Sequence, residues 1–242
     1  MRRTTHIRAN LLLACALALA GCGSLVPGGS SGAAPGTANP AAGTQARPAT
    51  RVASVPQSYS ANTADQTCLA DLGAAGARFQ PLPDAYAAPG CNKLGTVQLS
   101  ALAGDRSSFG VSNLGPVRCD TAKAFNEWAR FGVDRAARQM LGSPIARIET
   151  MGSYACRNVA GSDRRSAHAR AEAIDVSGFV LEDGRRIVLR RDWDGGDAAT
   201  RAFLRVVHKS ACKRFGTVLG PEYNAAHADH FHLEGTGARF CR

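Results

Sequence analysis

At 242 residues, with 29 Lys and Arg against 19 Asp and Glu, the chain carries a formal charge of +10 and has room for one large domain or two small ones. Such a charge suits nucleic acid, anionic lipid or anionic glycan. The cations are scattered, with no basic stripe interleaved with aromatics, which argues against a nucleic-acid module and leaves a solvated surface congenial to a carboxylate-rich wall.

Arg2, Arg3 and Arg8 precede an apolar run over residues 11–20 that ends at Leu19-Ala20-Gly21-Cys22. A charged start, a short apolar centre and small residues at its end make an export signal, and the run is too short to span a bilayer comfortably. The ending resembles a bacterial lipobox, which implies a lipid on Cys22. With Gly23 following, the resemblance favours the outer membrane, on the periplasmic face of the envelope. Membrane contact then runs through the lipid anchor alone, and export leaves no role in nucleic-acid binding. Residues 22–63 are Gly, Ala, Pro, Ser and Thr with almost no large apolar side chain, a composition that cannot offset the entropy of ordering it. The chain therefore divides into a signal over 1–21, a flexible tether over 22–63 and a folded domain over 64–242.

Besides Cys22, the exported chain keeps Cys68, Cys91, Cys119, Cys156, Cys212 and Cys241. An even number in an exported domain implies a disulfide framework whose connectivity stays open; pairing in chain order, Cys68 with Cys91, Cys119 with Cys156 and Cys212 with Cys241, is the expectation. No Cys-x-x-Cys spacing supports a thiolate metal site.

Residues 68–91 include Phe79-Gln80-Pro81-Leu82-Pro83, too proline-rich for a regular helix, and read as a stapled irregular lobe. A short strand or an extended arm is predicted over 94–102. Ala122, Phe125, Trp128, Ala129, Ala136 and Met140 recur at helical spacing and predict a helix over 120–141, capped by Asp120, broken near Gly132 and stopped by Gly142. Strands follow over 146–154 and 173–181, the second joined by the hairpin dipeptide Asp183-Gly184 to a partner over 186–189. A second helix is predicted over 197–215 with Phe203, Val206, Val207 and Ala211 inward. Strands over 217–219 and 231–233 complete a small, mostly antiparallel sheet flanked by helices, an α+β domain.

The chemistry gathers in two clusters. His227-Ala228-Asp229-His230-Phe231-His232 holds three of the chain's six histidines, and Ser166-Ala167-His168 followed by Asp175 supplies another imidazole and another carboxylate. A catalytic zinc takes about three protein ligands and keeps one position open. His168 from a loop, Asp175 from a strand and His232 from a neighbouring strand supply such a set for one Zn2+ ion. Alternation puts His230 on the same face as His232 and turns Phe231 into the core. Asp229, at the strand entrance, is the candidate general base. His230 and His227 are candidates to steady developing negative charge or orient a ligand, and Ser166 either caps a turn or hydrogen-bonds a ligand.

Ser166-Ala167-His168-Ala169-Arg170-Ala171-Glu172-Ala173-Ile174-Asp175 resembles the Ser-x-His-x-x-Gly-x-Ala-x-Asp signature of zinc peptidases that cut bacterial wall peptides, D-alanyl-D-alanine carboxypeptidases and murein endopeptidases among them. The resemblance implies the fold they share with the hedgehog signalling domain. Asp229-x-x-His232 and His230-Phe231-His232 are similar to their acidic-x-x-His and His-x-His elements. Ser153-Tyr154-Ala155-Cys156-Arg157 looks like their Ser-Gly-Tyr-Arg element, which implies that Arg157 meets the substrate. More closely, the span from Cys68 to Arg242 resembles the bacterial extensin-like C-terminal domain family, through that element, Leu219-Gly220-Pro221 and the terminal Cys241-Arg242. Ala171 stands where the signature has glycine, a small change if the backbone there avoids positive φ.

The resemblance implies peptidoglycan peptides as substrate; a monomer is expected. No Gly-x-Ser-x-Gly elbow supports a serine hydrolase. A glycosidase built on Asp175, Asp229 and Glu234 leaves the histidines unexplained. The serious rival is a wall-binding or metal-binding lipoprotein that keeps the fold without catalysis. His208, on the second helix, reads as structural.

Overall fold

Helices and a mostly antiparallel sheet build the domain, in a computed structural model that describes residues 63–235 and 239–242. The predicted signal over 1–21, Cys22 and tether residues 22–62 lie outside these residues. Among the described residues no helix is long and apolar enough to cross a membrane.

The sheet is larger than the small one expected. Its ten strands include a path in the order β1 (Arg78–Pro81), β4 (Thr96–Ala103), β5 (Ser108–Ser112), β7 (Ile145–Gly152), β8 (Ala173–Leu181), β11 (Phe231–Glu234), β10 (Thr217–Leu219) and β12 (Phe240–Cys241). Off that path β6 (Val117–Arg118) pairs with β4 and β9 (Arg186–Val188) with β8; β2 (Ala85–Ala88) and β3 (Cys91–Lys93) form a separate hairpin. All pairs are antiparallel except β5 with β7 and β10 with β12. The extra strands come from short segments with no alternation long enough to declare them, β1 among them.

The expected irregular lobe begins instead with α1 (Thr63–Ala74). Leu69 and Leu72 are its large apolar side chains, and Leu72 is the one fully buried anchor among its described side chains. The predicted long helix is present as α2 (Cys119–Trp128), a π-helical turn over Ala129–Asp134 and α3 (Arg135–Met140). Arg118, not Asp120, stands at its N-cap, and no side chain caps it. The break falls at Gly132, where a Cβ would collide with Ser210 of α5 (Ala198–Ala211) and come within 2.9 Å of the Trp128 ring, so the close helix crossing favours glycine there. Gly142, at φ 73°, follows the helix end as expected. A short helix, α4 (Leu189–Gly195), was not expected from the pattern.

Helices and sheet meet in an aromatic core. Trp128 Nε1 donates to the Val207 carbonyl at 3.0 Å, tying α2 to α5, and its ring packs on Phe179 of β8, which in turn meets Phe203 of α5 edge-on. Each such fully buried ring contributes about 1.5–3 kcal/mol. Phe203, Val207 and Ala211 point inward as predicted, but Val206 is exposed and Leu204 takes the buried position. His208 packs between Trp193 and Phe231 and bonds the Arg242 carbonyl at 3.2 Å, the structural part expected of it.

The decisive irregularity lies in β8. Ile174 and Val176 are buried, and so are Phe179 and Leu181, an odd step that strict alternation forbids. The register accounts for it: Glu149 pairs with Gly178 and Thr150 with Val176, leaving Ser177 as an extra residue in a β-bulge. Both halves of β8 thereby feed the core, and Asp175 is turned to the opposite face.

Two of the three expected disulfides are corrected. Cys68 bonds Cys119 and Cys91 bonds Cys156, while Cys212 bonds Cys241 as expected. The reason is packing: α1 lies against the start of α2, with Cα atoms of the first pair 6.1 Å apart, and the β2–β3 hairpin lies against the Tyr154–Arg157 segment, with Cα atoms 5.4 Å apart. Each bridge stabilises by roughly 2–4 kcal/mol through the unfolded chain.

Asp192 of α4 accepts Val188 N–H at 2.7 Å and both Arg191 Nε and Nη2 at 2.7 Å. Burial alone would raise its pKa, but these partners hold it below the usual carboxylate value. A depressed folded pKa stabilises above the unfolded value, and that contribution is lost as pH falls through the folded one. Thermal unfolding between pH 5 and pH 2.5 should therefore show a falling midpoint, with a shallower slope in Asp192→Asn; parallel slopes would remove Asp192 from the account.

Candidate metal centre

His168 enters the site from a single 3-10 turn, Ala167–Arg170. Ser166 is its N-cap, its Oγ accepting the His168 backbone N–H at 3.4 Å. The turn closes through Ala171, whose φ of 56° lies in the left-handed region. The glycine of the signature would enter that region freely; an alanine there is strained by about 1–2 kcal/mol. The condition under which the replacement is innocuous is thus not met, yet the turn is held: Arg118 N–H bonds the Ala171 carbonyl at 2.9 Å and Glu172 N–H bonds the Ala167 carbonyl at 3.1 Å. The chain then runs directly into β8.

Asp175 and His232 are cross-strand partners. In the antiparallel pair of β8 and β11, Val176 faces Phe231 on the core side and Asp175 faces His232 on the other. His232 Nδ1 stands 2.8 Å from Asp175 Oδ1, His168 Nε2 3.2 Å from Asp175 Oδ2, and the two ring nitrogens 3.2 Å from each other. Both imidazoles are nearly inaccessible, His168 at 3 % and His232 at 7 %.

The far nitrogens settle which lone pairs converge. His168 Nδ1–H donates to the Ser153 carbonyl at 2.8 Å, so Nε2 faces the cluster unprotonated when the ring is neutral. His232 Nε2–H donates to Glu234 Oε1 at 3.0 Å, leaving Nδ1 inward. Glu234 escaped the sequence reading as a member of this centre. The signal was available in the alternation, since 232 and 234 share a face of β11.

Charges follow from that packing. Burial opposes ionisation of Asp175, but its bonds to His168 and His232 hold the carboxyl far below the usual range. Burial would likewise discharge His232, yet Asp175 and Glu234 raise it to about 9. Burial of Glu234 is overcome by His232, and its pKa is lowered. A chain without metal thus holds a proton among two carboxylates, a position that selects a cation.

Zinc fits this donor set. Ligand atoms held at ~2.0–2.1 Å around a tetrahedral centre stand roughly 3.3–3.4 Å apart, close to the 3.2, 3.2 and 2.8 Å separations here. Two imidazole nitrogens and one carboxylate are a zinc-type set, each imidazole backed by an oxygen acceptor. His208, Cys212 and Cys241 also cluster, but both sulfurs are spent in the disulfide.

The remaining predicted residues surround the three. His230 is nearly buried; its Nδ1 bonds Asp229 Oδ1 at 2.8 Å and its Nε2 lies 3.6 Å from Asp175 Oδ1. Asp229 is therefore engaged with His230 at one oxygen. His227 ends a 3-10 turn over Ala225–His227, its ring 5.1 Å from that of His230 and 5.8 Å from that of His232. Asn224 Oδ1 accepts both Ala226 N–H and His227 Nδ1–H, at 3.0 and 2.7 Å. Burial, the neighbouring imidazoles and Arg157 lower His227 to about 4, so it stays neutral near pH 7. Arg157 is exposed, and its guanidinium makes no hydrogen bond or ion pair among the described residues; its backbone is tied down beside the Cys91–Cys156 bridge.

The family model of the extensin-like protein C-terminus matches residues 66–242. The chain belongs to this family. Neither a curated protein nor a solved structure matches it. Within this extensin-like domain the metal-ligating candidates lie on a 3-10 turn, a central strand and that strand's neighbour, so the matched span contains the whole centre.

Proposed function

We propose that this extensin-like domain is a zinc-dependent peptidase acting on peptides of the bacterial cell wall, built on the zinc-peptidase fold shared with the hedgehog signalling domain. The observation that carries the reading is the convergence of His168 Nε2, Asp175 and His232 Nδ1 within 3.2 Å of one another, each imidazole tethered at its far nitrogen. The signal and tether composition of residues 1–63 support an exported lipoprotein, anchored through Cys22 at the outer membrane and facing the periplasm.

Bound there, zinc supplies Lewis acidity, which brings the acidity of water near neutrality and polarises a peptide carbonyl. The chain provides the proton traffic. Asp229 Oδ1 holds the proton at His230 Nδ1 and steadies the ring when it becomes positive, so His230 Nε2 accepts the proton of the attacking water and returns it to the departing amine. The general base is thus a pair, with Asp229 acting through His230. Arg157 offers an unpaired guanidinium to a substrate carboxylate, and the buried histidine wall keeps bulk water from the ligands.

The test is incubation of the purified protein with muropeptides, followed by mass spectrometry for a new amine and carboxylate, with and without chelator. Cleavage that chelator abolishes and zinc restores is the expected result. Zinc uptake with no cleavage of any muropeptide would favour the wall-binding reading.

A further inference from the structure

Two imidazoles of the metal centre are backed by different chemistry. His168 Nδ1–H donates to a neutral backbone carbonyl, that of Ser153, at 2.8 Å. His232 Nε2–H donates to a carboxylate oxygen, Glu234 Oε1, at 3.0 Å. Glu234 does not belong to the converging ligand set, and it is itself well placed by the sheet: its position pairs with Thr217 of β10, and its carbonyl accepts Gly216 N–H at 2.9 Å.

The inner face of His232 makes that backing consequential. Nδ1, not Nε2, points toward Asp175 and His168, so the ligating nitrogen is the one next to the ring's attachment. A half-turn about the Cβ–Cγ bond would put the Cδ2 carbon there instead and remove a ligand. An acceptor on Nε2–H forbids that half-turn. A negatively charged acceptor does more, because it increases the basicity of the opposite nitrogen.

We infer that Glu234 is a positioning residue for the metal, locking His232 in its Nδ1-inward orientation and tightening the site through its charge. This rests on the zinc reading above. Partners of this kind change metal affinity by about 10–100-fold.

The experiment is zinc affinity by competition against a chromophoric chelator, for wild type, Glu234→Gln and Glu234→Ala, with circular dichroism reporting the fold. Glu234→Ala should bind zinc about 10–100-fold more weakly. Glu234→Gln, which keeps an acceptor oxygen without the charge, should lose less, about tenfold, and carries the test if the alanine variant fails to fold. Tight wild-type binding matched by the folded variants would overturn this inference alone. A wild-type protein that takes up no zinc would overturn the metal reading and this inference with it.

Discussion

Replacing His232 by alanine is expected to strip the protein of zinc and reduce muropeptide cleavage by at least about a thousandfold. The substitution removes one of three converging ligands. It also leaves Asp175 and Glu234 without the imidazole that now lies between them, so the zinc-type donor set is reduced to one imidazole beside carboxylates that repel each other. The fold should survive, because Phe231 and Leu233 supply the buried face of β11 and three disulfides brace the domain. Elemental analysis and the cleavage assay on the same preparation give the answer. Retention of both zinc and activity would remove His232 from the centre.

Asp229→Asn separates proton transfer from metal binding. Asp229 bonds His230 and none of the three ligating atoms, so the variant should keep its zinc and lose about 10²–10⁴-fold in turnover, the usual contribution of a positioned acid or base. His230→Ala should lose a similar factor, and the double variant should lose little more if the bonded pair handles the proton as one unit, as proposed. Steady-state kinetics on matched zinc-loaded preparations would show it. Full activity in Asp229→Asn would place the base elsewhere.

The parts of this molecule visible in its sequence are those governed by short-range order. β8 and the helical periodicity of α2 and α5 followed from apolar spacing, and His168, Asp175 and His232 were chosen from two local clusters that the sheet then brings together. What escaped depends on contacts between distant segments. Cys68 meets Cys119 because α1 packs against α2, and no count of intervening residues carries that information. The Ser177 bulge, which lets Phe179 and Val176 share a face and turns Asp175 away from them, shows only in the register with β7. Ala171 is similar: its left-handed conformation belongs to the turn between His168 and β8, and the residue type argued for the opposite. Glu234 was passed over because a carboxylate beside a histidine gains its role only once the ring's inward nitrogen is known.

The most direct test of the central claim is the metal itself, measured as zinc stoichiometry together with X-ray absorption at the zinc edge on the purified protein. One zinc per chain is expected, with nitrogen and oxygen neighbours at ~2.0–2.2 Å from two imidazoles and a carboxylate and no sulfur in the shell. A protein that retains no zinc after equilibration with it, or whose zinc is bound by thiolate sulfur, would contradict it.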